Sequence, residues 1–468
     1  MGQLNRCVLF ALARELILTG NKVAPNLDGR TYMIRINRRR LVVASAVLAT
    51  GGLVLSSVPA QALSPRSEVG VSGSSIKLGV TLPMTGAASP GYNKVPSAMK
   101  AYFDYVNANG GVNGRKITLV VKDDQYVPTL AVAKTNELIL KDRVFALLAP
   151  LGTANVKAVA ASVNPGRRGI PTLFVNTGYS GFANKKAYPT TFTLLPSYIV
   201  EAKIMAQYIS ETYPGKKIGL LYQDDDFGDD ALAGFKQAGL TFTVKVPYAS
   251  GSQGVSGVPA TWIQKLSAAN VDVVVLFGVS SATGAALGTA AVMKYAPKWV
   301  LGSVGGDATT VKALGVPAGV LYGATGASFL PATTDTTDEY IKLFTTINAK
   351  YNNNAVFDNN VLVGMNTAFV TVQALAAAGK RLTRKGLITA IEKNGSKFFS
   401  AGLVPLMFSP TSHVGYSGYW FGTYGPTGDL KPNGGLYTVY STDSGKGAVV
   451  KSTYKRPAMP TDGLPTKS

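Results

Sequence analysis

The chain is poor in the residue types that most often carry chemistry. It holds one cysteine, Cys7, and one histidine, His413. A single cysteine excludes a disulfide within the chain, and one of each excludes a zinc site built from Cys and His. Any Ser–His or Cys–His catalytic pair would have to use His413. The lack of a disulfide is compatible with export and does not require it. Acids are also scarce, with 25 Asp and Glu against 46 Lys and Arg, a formal charge of +21. Residues 1–62 carry eight basic and two acidic side chains, which leaves the remainder near +15. That charge can hold a protein near an anionic envelope. Nucleic acid is the rival partner; it is set aside because the lysines are scattered and no basic-aromatic module occurs. No G-x-G-x-x-G follows the first strand, so the dinucleotide fingerprint is missing. Ser180 in Gly178-Tyr179-Ser180-Gly181 and Ser417 in Gly415-Tyr416-Ser417-Gly418 both fail the G-x-S-x-G nucleophile elbow.

What the chain does have is length for two or three domains, 46% hydrophobic residues and 51 glycines spread along it. That composition fits a turn-rich globular α/β protein and not a disordered one. Residues 33–62 have the layout of a secretory signal peptide: Arg35, Arg38, Arg39 and Arg40, an apolar run from Leu41 to Leu55, then Ala60-Gln61-Ala62 before a cut. The apolar run is short and broken by glycine, which argues against a membrane anchor. Arg38-Arg39 hints at a twin-arginine signal. No cysteine lies near the cut, so no lipoprotein anchor is expected there. Translation is expected to begin at Met33, with residues 1–32 as an extension.

Residues 63–75 read as a linker. Strands are expected at 76–82, 117–121, 144–148 and 170–175, alternating with helices at 97–107, 129–141 and 155–163. Crossovers of that length make right-handed parallel connections. The pattern then restarts, with strands at 217–222, 242–248, 271–277, 299–304 and 320–326 and helices at 199–212, 229–238, 261–270 and 283–295. Three helices at 338–351, 361–378 and 384–394 follow without strands between them and are placed back on the first lobe. A Gly- and Tyr-rich hairpin from 408 to 437 is placed on the second. The expected fold is two doubly wound Rossmann-like α/β lobes with a ligand cleft between them. Lobe 1 is assigned 76–196 and 325–398, lobe 2 197–324 and 399–450, and 451–468 a loose tail. Lobe closure about a hinge is the expected motion.

The run Asp224-Asp225-Asp226-Phe227-Gly228-Asp229-Asp230 lacks the far Glu and the glycine spacing of a calcium loop. It reads instead as a strand-to-helix loop whose acids favour a helix N-terminus. Pro150-Leu151-Gly152-Thr153-Ala154 leads from a strand into a helix, where unpaired N–H groups and the Thr153 hydroxyl can hold a carboxylate. Ordinary helix capping would also explain Thr153. Thr177 to Ser180 holds the same place after the next strand.

Leu82-Pro83-Met84-Thr85-Gly86, the Asn107–Asp124 stretch, Gly169-Ile170-Pro171, Tyr222 to Gly228 and Ala374-Leu375-Ala376-Ala377-Ala378-Gly379 come in the order and spacing of one family. Across nearly all of residues 76–440 the chain resembles the leucine/isoleucine/valine-binding type of solute-binding protein that serves ATP-driven importers. The resemblance implies a type I periplasmic-binding-protein fold, no catalysis and no cofactor or metal. It also implies a small organic ligand, a membrane permease as partner, no nucleic acid, and an exported monomer. It carries a carboxylate-binding hydroxyl onto Thr153, backbone contacts onto Ala154 and Tyr179, and a second hydroxyl onto Ser180. Phe227 falls where the family has a cleft tyrosine, and Tyr92 near an aromatic that walls the pocket. The family's ammonium-binding acid falls at or near Val304, with Asp307 as its substitute if the loop is shifted. Further cleft aromatics become Ser280 and Met365. A buried ammonium without an anion is costly, so a carboxylate, amide or apolar ligand fits as well as a branched-chain amino acid. The alternatives are an extracellular sensing module, for which a following membrane span or signalling domain would be expected, and a secreted hydrolase dependent on His413.

Overall fold

The computed structural model describes residues 68–465. The signal-peptide and start-site expectations fall outside that range.

Two sheets organise the chain. The first has the order β2-β1-β3-β4-β5, all parallel: β1 Ser75–Leu82, β2 Lys116–Asp123, β3 Ala146–Leu148, β4 Thr172–Val175 and β5 Thr191–Thr193. Helices α1 Val95–Ala108, α2 Pro128–Asn136 and α3 Thr153–Ser162 make its crossovers. The second sheet runs β7-β6-β8-β9-β10 in parallel and continues antiparallel through β11 (Gly418–Tyr424), β13 (Val439–Ser441) and β14 (Val450–Lys451). Its parallel strands are β6 Ile218–Gln223, β7 Val244–Tyr248, β8 Val273–Phe277, β9 Lys298–Leu301 and β10 Thr325–Ser328. Between them lie α5 Asp226–Gln237, α6 Val258–Ala268, α7 Ser280–Val292, α8 Ala308–Ala313 and the short α9 Ala318–Leu321, all after α4 Tyr198–Thr212. Helices cover both faces of a parallel sheet, so its strands read as unbroken apolar runs; β8, VVVLF, is buried at all five positions.

Three helices return to the first lobe: α10 Glu339–Tyr351, α11 Asn359–Ala377 and α12 Arg384–Asn394. Tyr102 of α1 packs edge-on against Phe344 of α10 and Phe369 of α11. A side chain at Gly364 would meet Val95 O at 2.7 Å and Ala98 Cβ at 2.8 Å, so α11 can lie on α1 only with glycine there. That nearly all-round burial explains why α11 is apolar enough to cross a membrane by composition.

Several assignments differ from the sequence reading. Thr325–Ser328 pairs with β9 and with β11 (Gly418–Tyr424), so the chain leaves the second lobe after Ser328 and not at 325. What reads as one strand over 320–326 is α9, a turn and β10. Residues 399–416 lie on the first lobe: Thr193 N–H donates to His413 O at 3.0 Å, Tyr416 N–H to Leu194 O at 3.0 Å, and Phe408 packs on Phe174 and Phe192. The second lobe resumes at β11, followed by β12 Leu430–Pro432, β13 Val439–Ser441 and β14 Val450–Lys451. The described residues after β14 are strapped to the first lobe and not loose. Met459 N–H donates to Glu339, Tyr102 OH to Gly463 O at 2.7 Å, and Leu464 is buried in the main core. The linker expected over 63–75 is partly built in as well, since Gly70 O accepts from Lys77 N–H at 2.8 Å.

Candidate functional site

The carboxyl ends of both parallel sheets face one cleft, the place where open α/β sheets bind ligands. The first lobe supplies Tyr92, Tyr126, Leu151, Gly152, Asn176 and Leu195, with Asn359, Asn360 and Val363 from the start of α11. The second supplies Phe227, Val279, Ser303, Val304 and Asp307, while Tyr198 and Phe329 flank the crossings. The wall is aromatic and apolar and includes one carboxylate, Asp307, and no lysine or arginine. The free space is about 50 Å³, enough for a few waters. The lobes are therefore closed on each other.

Direct contacts hold them so. Tyr92 OH donates to Val304 O at 2.9 Å, and burial pushes its phenol up to about 12. Gly91, at φ +85°, lets this loop come in: a Cβ there would meet Thr310 Oγ1 at 2.6 Å and Asn360 Nδ2 at 2.7 Å. Asp307 caps its own helix, accepting from Thr310 N–H at 2.6 Å, and reaches the other lobe, accepting from Asn359 N–H at 3.1 Å. The acidic first turn of α5 makes a further bridge. Asp230 accepts from Ser180 N–H at 2.7 Å and from the Ser180 hydroxyl at 2.6 Å. Lys157 pairs with Asp226 at 2.5 Å and lies over the Tyr179 ring at 4.9 Å. Burial raises the Asp230 carboxyl to about 6 against the lowering effect of the Ser180 donors. Asp225 caps α5 through Phe227 N–H at 2.9 Å. The acidic run thus serves as a helix start and a lobe contact. Among the described residues no group of three or more His, Cys, Asp or Glu side chains could hold a metal ion.

Of the ten residues singled out from sequence, Tyr92, Phe227, Val304 and Asp307 stand on the cleft wall. Thr153 opens α3 just behind Gly152, its hydroxyl paired with Thr177 Oγ1 at 2.7 Å. Gly152 makes no side-chain cap, so the first-turn amides of α3, Ala154 included, have no side-chain acceptor from it. Tyr179 and Ser180 are off the wall: Ser180 is bound to Asp230, and Tyr179 packs edge-on against Phe182 at 5.2 Å. Ser280 is wholly buried, its hydroxyl 3.5 Å from Val304 O. Met365 is off the wall: it is buried in the core, because it sits about 200° around α11 from the wall residue Val363. Sequence reasoning missed Tyr126, Asn176, Tyr198, Ser303 and Asn359 as wall residues. Asn176 directly follows the strand expected over 170–175, a signal that could have found it; Gly152 stands in the loop singled out after the strand expected over 144–148. Ser303 is held from behind by Glu201, whose carboxylate accepts from its N–H at 2.5 Å and its hydroxyl at 3.0 Å.

The profile of the family described as periplasmic binding protein matches residues 75–429. A curated relative, Leu/Ile/Val-binding protein homolog 3 of Brucella melitensis, is 23% identical over 227 residues, 45% of this chain and 56% of that protein. The chain thus spans about half the length of that relative. A substrate-binding periplasmic protein of Ralstonia solanacearum superposes with a TM-score of 0.69 at 24% identity, covering 76% of this chain and 99% of that one. A branched-chain amino acid ABC transporter protein of Thermus thermophilus with bound valine gives a TM-score of 0.67 at 19% identity, covering 77% and 96%. At these identities the superpositions speak for the fold, a type I periplasmic-binding-protein fold with two α/β lobes.

Proposed function

Because this chain belongs to the periplasmic binding protein family, we propose that it is an exported solute-binding protein of an ABC importer. It captures a small organic ligand by lobe closure and hands it to a membrane permease as a monomer. The observation that carries this reading is the interlobe cleft itself: a closed wall of aromatic and aliphatic side chains with a few polar groups and one carboxylate, formed by loops of both lobes. A ligand with an apolar body fills such a wall and is oriented by few polar groups. Asp307 is the anion for an ammonium or amide N–H, standing in for the acid absent at Val304. The open first turn of α3 at Thr153 and Ala154 is the seat for a ligand carboxylate. An α-amino acid matches both ends, in line with the amino-acid-binding relatives. Ser180 serves lobe closure in this reading, since Asp230 occupies both of its donors.

No catalysis is part of this reading. His413 is buried, its ring nitrogens 3.0 Å from Thr191 O and 3.0 Å from Glu392, while the Ser417 hydroxyl donates to Thr442 O. Neither candidate serine has the histidine as a partner.

The test is calorimetric titration of the purified chain with valine, leucine, norleucine and their deaminated acids, repeated on Asp307→Asn. Asparagine keeps the helix cap and removes the charge, giving up the acceptor for Asn359 N–H. The expected result is a loss of amino-acid affinity of roughly ten- to hundredfold with the melting temperature little changed. Equal affinity for amino acids and deaminated acids in both proteins would sink the role given to Asp307.

A further inference from the structure

The cleft continues past Asp307. A second chamber of about 320 Å³ shares Ser303, Asp307 and Asn359 with it. The chamber lies between the 303–309 loop, the lobe crossing after β10 and the β11–β12 hairpin. Ala327, Pro331, Trp420 and Leu430 give it an apolar side. Three charged groups stand in its wall: Asp307 at the seam with the cleft, Lys312 and Asp429 beyond. Asp429 is neutralised by Lys431 at 3.0 Å. Lys312 is different. Its ammonium donates to the Thr427 carbonyl at 2.7 Å, and among the described residues no carboxylate pairs with it. The chamber therefore has an anion at its inner end and an uncompensated cation farther out. The two residues lie five positions apart across α8, about 7.5 Å along a helix axis.

Resting on the amino-acid reading above, we propose that cleft and chamber form one elongated site for an α-amino acid whose long side chain ends in an anionic group. The α-ammonium meets Asp307 and the α-carboxylate the start of α3. The side chain passes Ser303 and Asn359 into the chamber, and its terminal carboxylate meets Lys312. At the seam the Asn359 N–H donates to Asp307 at 3.1 Å, and that bond yields to the side chain. A six-carbon dicarboxylic amino acid has the reach; valine leaves the chamber unused.

The experiment compares L-2-aminoadipate with L-norleucine, which has the same chain length without the distal acid, and with L-valine, by calorimetric titration. The proteins are the unaltered chain, Lys312→Met and Lys312→Arg. Lys312 is exposed, so its pairing is screened and the expected preference for aminoadipate over norleucine is about fivefold. Lys312→Met abolishes that preference, and Lys312→Arg restores it. Norleucine binding as tightly as aminoadipate to the unaltered chain, or a preference that survives Lys312→Met, overturns the chamber while leaving the amino-acid cleft standing. Failure of all three amino acids to bind overturns the amino-acid reading, and the chamber assignment with it.

Discussion

Glu201 shows how single buried acids set the molecule's response to pH. It has no exposed surface, and burial raises its carboxyl from 4.5 to about 7, opposed by the Ser303 donors. Burial likewise raises Asp124 and Asp230 from 3.8 to about 6. For these three carboxyls the native state binds more protons than the unfolded chain, so the stability they contribute is complete below their unfolded values and is lost as pH rises through 6 to 7. His413 works the other way. Burial lowers its pKa, so its contribution is lost as pH falls below 6.5. Three raised carboxyls outweigh one lowered imidazole. The melting temperature is expected to rise on going from pH 8 to pH 5.5. Holding Glu201 ionised costs on the order of 3 kcal/mol, so Glu201→Gln should flatten that dependence. An unchanged slope in differential scanning calorimetry would rule out Glu201 as its source. None of this was legible in the sequence, where Glu201 is one acid within an ordinary helix; its burial comes from a partner, Ser303, 102 positions away.

At the scale of elements, the stretch from Asn107 to Asp124 shows what local sequence can specify. Asn107 clamps the end of α1 to β2, accepting from Ile117 N–H at 2.8 Å and donating to Ile117 O at 2.9 Å. Gly110 at φ +97° and Gly111 at φ +69° turn the chain between them. They are not equivalent, because a Cβ on Gly111 would lie 2.2 Å from Arg115 O while one on Gly110 meets nothing within 4 Å. Gly110→Ala should cost about 1 kcal/mol, the left-handed backbone alone. Gly111→Ala should cost several times more, or prevent folding, since backbone must move. Similar urea midpoints for the two variants would contradict this account. At the strand's far end Asp123 accepts from Met84 N–H at 2.9 Å and from Gln125 N–H at 3.0 Å, tying the β1 exit loop to β2. Long periodic elements were readable: the expected helix over 384–394 matches α12, and 338–351 matches α10 to one residue. The short ones were not. β5 has three residues and α8 has six, too few to show a period; the pairing of β5 with β4 and the Asp307 cap make them.

For the whole molecule the decisive contacts cross between lobes. Asp230 and Asp226 dock the start of α5 on Ser180 and Lys157. Removing Asp230 leaves the Ser180 N–H and hydroxyl without their acceptor. Asp230→Ala is expected to shift the ligand-free protein toward an open form, seen as a larger radius of gyration in small-angle scattering. A saturating ligand should restore the compact value. A compact ligand-free variant would mean that Tyr92–Val304 and Asp307–Asn359 suffice for closure. The tail matters at this scale too. Arg456 pairs with Asp338 and donates to Ala401 O at 2.9 Å, which makes residues beyond β14 one more crossing between the lobes.

The order of strands and helices, the two-lobed plan and the approximate positions of the cleft loops followed from the sequence, because apolar periodicity, glycine turns and strand-end polar residues are local properties of the chain. Which side chains face the cleft did not. Tyr126, Ser303 and Asn359 reach it, and Met365 is turned away, through helix rotation and strand register that depend on packing between segments far apart in sequence. The same packing decided that the acids of residues 224–230 meet Ser180 and Lys157, and that the last residues bind the first lobe. Contacts of that kind are decided only when both lobes are built, since each partner's polar groups are satisfied equally well by water until the other arrives.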